Sequence, residues 1–227
     1  MSYFNTLLFG LYPYIALLVC LIGSWIRFDR EQYTWKAGSS QMLNNKNFRL
    51  ANNLFHVGVI FVLMGHFVGL LTPESVYHYV ISTPAKQMLA MISGGVFGFL
   101  ALIGMTMLIK RRLTDDRVRA NSSKSDIMIL LLLYAQLILG LCTIIASSQH
   151  MDGSVMLLLG TWAQSVVTFQ PVEAAAAIAN VHIIYKLHVL LGLTLFVVFP
   201  FTRMVHVISA PIWYLGRNYQ LVRQNVF

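Results

Sequence analysis

Seven histidines stand in this sequence: His56, His66, His78, His150, His182, His188 and His206. Four of them lie inside long apolar runs, His56 and His66 in one and His188 and His206 in another. No other apolar run of spanning length has an interior histidine. An imidazole inside a hydrocarbon layer is costly, so each of the four is a candidate functional residue. A neutral imidazole is also a good axial ligand to haem iron. Two of them fill both axial positions, and the iron then passes electrons instead of binding oxygen. Two runs with two histidines each read as two bis-histidine haems held between two helices. His78 and His150 fall in loops and read as solvated. His182 lies six residues before His188 on a different helical face, outside the ligand set.

Two other readings of the same residues stay open. Membrane histidines also serve as hydrogen-bond donors between helices, which describes a haem-free membrane anchor. They also serve in proton relays, as in a transporter, but relays want carboxylates within the membrane too. None of the eight acidic residues lies deep in an apolar run; Glu74 and Asp126 stand at edges.

The elements that must position these histidines follow from composition. The chain of 227 residues is 57% hydrophobic and 11% charged, with a net charge of +8. A soluble domain carries about 25% charged residues. Disorder is excluded by the hydrophobicity. A nucleic-acid interface is excluded because the basic residues come in bursts between apolar runs instead of lining one face. The expectation is an all-α polytopic membrane bundle in a single domain, 1–227. Runs of about 20 apolar residues predict five transmembrane helices, at about 3–26, 50–71, 88–109, 126–146 and 182–209, followed by a tail over 210–227. The first Lys or Arg is Arg27; a cleaved signal peptide needs a basic start, so the first run reads as a retained span. A shorter run, Val155 to Phe169, holds Gly160, Thr161, Trp162, Gln164 and Ser165. It reads as a helix or loop lying at the membrane interface. Cys20 and Cys142 sit in apolar runs without a CxxC partner and read as small buried hydrophobes.

The basic residues orient the helices. Arg27, Arg30, Lys36, Lys46 and Arg49 separate runs one and two. Lys110, Arg111, Arg112, Arg117, Arg119 and Lys124 separate runs three and four. Arg203, Arg217 and Arg223 lie at or beyond the end of run five. With five spans, these fourteen of sixteen fall on one side and only Lys86 and Lys186 on the other. By the positive-inside rule the N-terminus is outside (periplasmic) and the C-terminus cytoplasmic.

Depth then pairs the ligands. Runs two and five are antiparallel. His56 and His206 lie near the inner ends, His66 and His188 near the outer ends. The pairs are His56 with His206 and His66 with His188. The spacing is uneven: ten residues of helix rise about 15 Å and eighteen about 27 Å. Eighteen residues make five whole turns, which places both run-five ligands on one face of a continuous helix.

Longer segments carry a resemblance. They are YPYIALLVCLIGSWIRFDREQYTW, SSQML, NLFHVGVIFVLMGHFVGLLTP, RRLTDDRVRA, HMDGS, WAQSVVTF, KLHVLLGLTLFVVFPFTRMVH and YQLVR, running from Tyr12 to Arg223. On these segments the chain resembles the gamma subunit of membrane-bound respiratory nitrate reductase, a di-haem cytochrome b that oxidises quinol. The resemblance implies two haems b. His56 and His206 hold the proximal one, nearest the catalytic subunits, and His66 and His188 the distal one. It implies quinol oxidation beside the distal haem, with Lys86 and Gly65 in the quinol site next to His66. It also implies a bacterial cytoplasmic (inner) membrane and partners on the cytoplasmic face. These are an iron–sulfur (beta) subunit that takes the electrons and a molybdenum (alpha) subunit that reduces nitrate. A sister di-haem subunit serving another respiratory oxidoreductase carries the same signals.

Physical reasons accompany these roles. An ammonium at Lys86 can hydrogen-bond a quinone oxygen. Arg203, three residues before His206, is a candidate for a haem propionate, since a guanidinium meets a carboxylate bidentately. Lys186 could play either part. Gly58, Gly65, Gly69 and Gly192 thin the two histidine helices, where a macrocycle or another helix could approach. The two cysteines cannot supply an iron–sulfur cluster, so electrons must leave to a partner. The surface for that contact is expected at Arg27 to Arg49 and in the tail, where Tyr214, Tyr219, Leu221 and Val222 are apolar anchors.

Overall fold

A computed structural model describes residues 3–35, 40, 43, 47–209 and 216. All regular structure among them is helical. Five helical segments are long and apolar enough to cross a membrane: Tyr3–Arg30 (α1), Phe48–Leu71 (α2), Thr83–Thr114 (α3), Lys124–Ser147 (α4) and Ile183–Phe201. Two shorter helices, Ser154–Val167 (α5) and Pro171–Ala177 (α6), precede the fifth segment. Its α-helical part is Ile183–Val198 (α7). The five expected spans are all present.

Their ends follow local chemistry. Thr72 precedes Pro73, whose ring disfavours a helical neighbour; Thr72 turns extended at φ −80°, ψ 115° and closes α2. Pro84 sits in the first turn of α3, where a missing N–H costs nothing. The helix therefore begins at Thr83, well before Met88. α4 opens with a capping box: Ser123 Oγ accepts from the Asp126 N–H, and Asp126 accepts from the Ser123 N–H, each at 3.1 Å.

Small residues decide which helices touch. A Cβ on Gly58 of α2 would stand 2.5 Å from the Phe97 carbonyl oxygen and 2.6 Å from the Ala101 nitrogen of α3. A Cβ on Gly104 of α3 would meet the Phe55 nitrogen and lie 2.7 Å from the Ala51 oxygen of α2. With Ala51 and Ala101 buried between them, the two backbones approach as small-residue membrane seams do. α3 packs on α4, α4 on α7 and α7 on α1, while α5 and α6 connect α1 back to α2. α2 and α7 are not neighbours in that order.

One expectation is corrected. Run five is not one helix from His182 to Ser209. The α-helix ends at Val198, a 3₁₀ turn covers Phe199–Phe201, and Thr202 is extended at φ −123°, ψ 177° before a second 3₁₀ turn, Arg203–Val207. Pro200 has no N–H to continue the ladder. His188 and His206 therefore do not share the face of one continuous helix. The segment Val155 to Phe169 is a helix for most of its length, and one of its faces packs into the protein. Gly160, Trp162, Ala163, Ser165 and Val166 of α5 are buried, in a core with Phe9, Ala16, Ile178, Tyr185 and Leu193. Its polar groups are satisfied by protein: Trp162 Nε1 donates to the Phe9 carbonyl and Gln164 Nε2 to the Leu70 carbonyl, both at 3.0 Å. That is why a helix of mixed polarity can be interior.

The alanine run Ala174 to Ala177 gains a role here. α1 contains a π-helical turn, Thr6–Leu11, and α6 lies against it. A Cβ on Gly10 would stand 2.5 Å from the Pro171 oxygen. Ala174 and Ala175 are fully buried there, and Asn5 Nδ2 donates to the Ala175 carbonyl at 2.8 Å.

Candidate functional site

The structure brings the rings of His66 and His188 together. Their ring centroids are 6.0 Å apart with 42° between the planes. Two imidazoles binding one metal at about 2.0–2.1 Å each, with about 1.1 Å from nitrogen to centroid, set the centroids about 6.3 Å apart. The observed separation of 6.0 Å is close to that value. His66 Nδ1 donates to the Val62 carbonyl at 2.8 Å, which leaves Nε2 free for a metal. This is the usual support of a ligating histidine. His188 Nδ1 is buried without a partner.

The same support recurs at the other two histidines. His56 Nδ1 donates to the Asn52 carbonyl at 2.8 Å and His206 Nδ1 to the Arg203 carbonyl at 2.5 Å. Unlike His66 and His188, these two rings make no contact with each other. No group of three or more His, Cys, Asp or Glu side chains gathers among the described residues. One close imidazole pair, His66 with His188, is therefore on hand, and a neutral imidazole is a donor of the type that haem iron takes. The residues present fit haem.

Three residues that sequence reasoning did not single out position His188. Gly140 of α4 faces it: a Cβ there would stand 3.1 Å from His188 Cε1. Gln136, one turn earlier, donates from Nε2 to the His188 carbonyl at 3.1 Å. Tyr185 OH is 2.8 Å from Ser147 Oγ and ties the start of α7 to the end of α4. A signal existed for Gln136: it is an amide inside an otherwise apolar span, and such residues usually have an assigned partner. Gly140 has no sequence signal beyond its size.

Lys86 lies in the first turn of α3 and reaches back to α2. Its Nζ donates to the Gly69 carbonyl at 3.1 Å and stands 3.6 Å from the centroid of the Tyr77 ring. Gly69 is three residues beyond His66, so Lys86 is anchored to the same helix end as His66. Tyr77, also missed from sequence, is buried. Its hydroxyl is 3.2 Å from Thr83 Oγ1, which donates to Glu74 at 3.2 Å. A buried ring beneath an ammonium holds the charge in place.

The glycines divide into two kinds. Gly58 is a helix-packing residue, as above. A Cβ on Gly65 or Gly69 would meet nothing within 4 Å, so the α2 face around His66 is open. Gly192 abuts the Gln136 amide, 3.1 Å from its would-be Cβ. Arg203 stands 3.7 Å from Asp126, which Arg112 also approaches at 4.0 Å. Lys186 donates to the Ala179 carbonyl at 2.6 Å.

Comparison with known proteins decides the family. A family model described as the nitrate reductase gamma subunit matches residues 5–225. The chain belongs to the nitrate reductase gamma subunit family. It is 52% identical to the respiratory nitrate reductase 1 gamma chain of Escherichia coli strain K12 over 223 residues, 98% of this chain and 99% of the relative. It is 47% identical to the respiratory nitrate reductase 2 gamma chain of the same organism, covering 98% of each. The nitrate reductase gamma chain of Bacillus subtilis strain 168 is 35% identical over 219 residues, 96% of this chain and 97% of the relative. As a gamma subunit it is one chain of an oxidoreductase complex. With five apolar helices it is a multi-pass protein of the bacterial inner membrane. The tail 210–227, apart from Gly216, and Lys36 and Lys46 in the loop after α1 lie outside the described residues.

Proposed function

We propose that this gamma subunit oxidises quinol near the outer membrane face and carries the electrons across the membrane to an iron–sulfur partner, for nitrate reduction at a molybdenum-containing partner. The observation that carries the reading is the close pair His66 and His188, with ring centroids 6.0 Å apart and Lys86 anchored one turn away. His66 and His188 would hold a distal haem b, and His56 and His206 a proximal one. When bound, the two haems supply one-electron relays between the quinol and the partner.

The residues of this chain do the rest. Lys86 Nζ, fixed by the Gly69 carbonyl and the Tyr77 ring, can turn a donor hydrogen to a quinol oxygen. That contact favours the anionic form of the oxygen as its proton leaves. The open face beside Gly65 gives a flat ring room to approach His66. The basic residues at the opposite helix ends mark the cytoplasmic side. The N-terminus is then periplasmic and the partners meet the cytoplasmic face, through the Arg27 to Arg49 loop and the tail.

The test is a reduced-minus-oxidised titration of the complex in membranes. Two b-type centres are expected in the native complex. His66→Ala should remove the distal one and stop quinol oxidation. A His66→Ala complex that keeps both centres would overturn the ligand assignment.

A further inference from the structure

The break in the fifth span, not helical register, places His206, and the break is held from outside. The chain between Val198 and Arg203 leaves the α-helical ladder and exposes carbonyls that no helix satisfies. A side chain of α1 takes them. Arg27 Nη1 donates to the Pro200 carbonyl at 2.6 Å and to the Thr202 carbonyl at 3.0 Å. The other arm, Nη2, donates to the Thr34 carbonyl at 2.8 Å. One guanidinium thus joins the end of α1, the loop that follows it and the broken span.

The surroundings agree with a built socket. Gly23, one turn before Arg27 on the same face, lies under Pro200. A Cβ there would stand 2.9 Å from Pro200 Cγ. Cys20 of α1, Phe199 and the fully buried Val205 form a small core with Trp35 and Met204 against it. Thr202 is 2% exposed. Its hydroxyl donates to the Phe199 carbonyl at 3.1 Å and accepts from the Met204 N–H at 3.3 Å, starting the turn that carries His206. The next contact along is His206 Nδ1 to the Arg203 carbonyl. Every link from Arg27 to the imidazole is therefore a short hydrogen bond or a packed turn.

We infer that Arg27 is a positioning residue for the proximal haem ligand: its fork fixes the Pro200–Thr202 break and thereby the height and rotation of His206. This rests on the reading of His206 as a haem ligand. Topology alone asks only for a positive charge at this position. A fork bridging three carbonyls asks for arginine, because a lysine ammonium is a point charge without a planar array of donors.

The experiment uses the whole complex in membranes, with Arg27→Lys, Arg27→Gln and His206→Ala measured side by side. The readouts are haem per complex and the low-spin resonance and redox titration of each haem. Arg27→Lys keeps the charge and the insertion of the chain. It is expected to shift the resonance and potential of the proximal haem while the distal haem keeps its native signature. Arg27→Gln is expected to do the same more strongly, or to lose the proximal haem. A native proximal signature in Arg27→Lys means that charge suffices and overturns the inference. So does an equal disturbance of both haems. If Arg27→Gln fails to assemble, Arg27→Lys alone decides. His206→Ala separates the two levels. If it retains the proximal haem, the ligand assignment falls. If it loses that haem while Arg27→Lys is native, only the role of Arg27 falls.

Discussion

Gly65→Ala separates an occupied face from an idle one. Nothing lies within 4 Å of the Cβ this substitution adds, so the protein itself offers no clash. Alanine is a better helix former than glycine by about 0.8–1.0 kcal/mol. On the protein alone, the variant should be as stable as the parent or slightly more so, with α2 unbroken. If a quinol ring packs beside His66, the added methyl enters a filled space. Overpacking a well-fitted contact costs about 1–3 kcal/mol. At 1.4 kcal/mol per factor of ten, that is about a 5- to 140-fold loss in quinol affinity or turnover. The assay is quinol-dependent nitrate reduction by membranes, with haem content and thermal stability measured on the same preparation. The expected result is a fall in quinol oxidation of that size with both haems and stability retained. Native kinetics with native haems would refute the reasoning, because the open face would then be lipid-covered and unrelated to quinol.

Three further outcomes follow from the same geometry. Gly140→Ala should press on His188 through a contact of 3.1 Å and shift the resonance of the distal haem while the proximal one is unchanged; spectra of the oxidised complex check it, and an unaltered distal signal counts against the packing argument. Lys86→Ala should lower quinol oxidation and inhibitor binding at unchanged haem content, while Tyr77→Leu, which removes the ring beneath the ammonium, should show a smaller loss of the same kind; equal turnover in Lys86→Ala would remove it from the site. In sealed vesicles, quinol oxidation should generate a potential, since protons leave near His66 and Lys86 while electrons travel to the other face; the absence of a potential would contradict the assigned depths.

The five spans were legible because each is a run of apolar residues bounded by charge or proline, and bilayer thickness sets their length. Depth on antiparallel helices placed His66 and His188 at the same level, and the structure has their rings 6.0 Å apart. The continuity of run five was misread. Hydropathy does not register a lost N–H, and Pro200 lies within an apolar stretch that reads as helix throughout. The packing of α5 was not legible for the complementary reason: its tryptophan and glutamine have acceptors only once Phe9 and Leu70 lie beside them.

Composition and charge placement determined by themselves that this chain is a helical membrane bundle, how many spans it has and which apolar runs carry the histidines. Those are one-dimensional properties, set by hydrophobic length and by where charges interrupt it. Only the tertiary structure decided which glycines pack helices and which face open space. It also showed that Gly140 and Gln136 seat His188 and that Arg27 holds the broken end of the fifth span. Such roles depend on distances between residues 27 and 200, or 140 and 188. No local propensity encodes those distances; they exist only once the helices have chosen their neighbours.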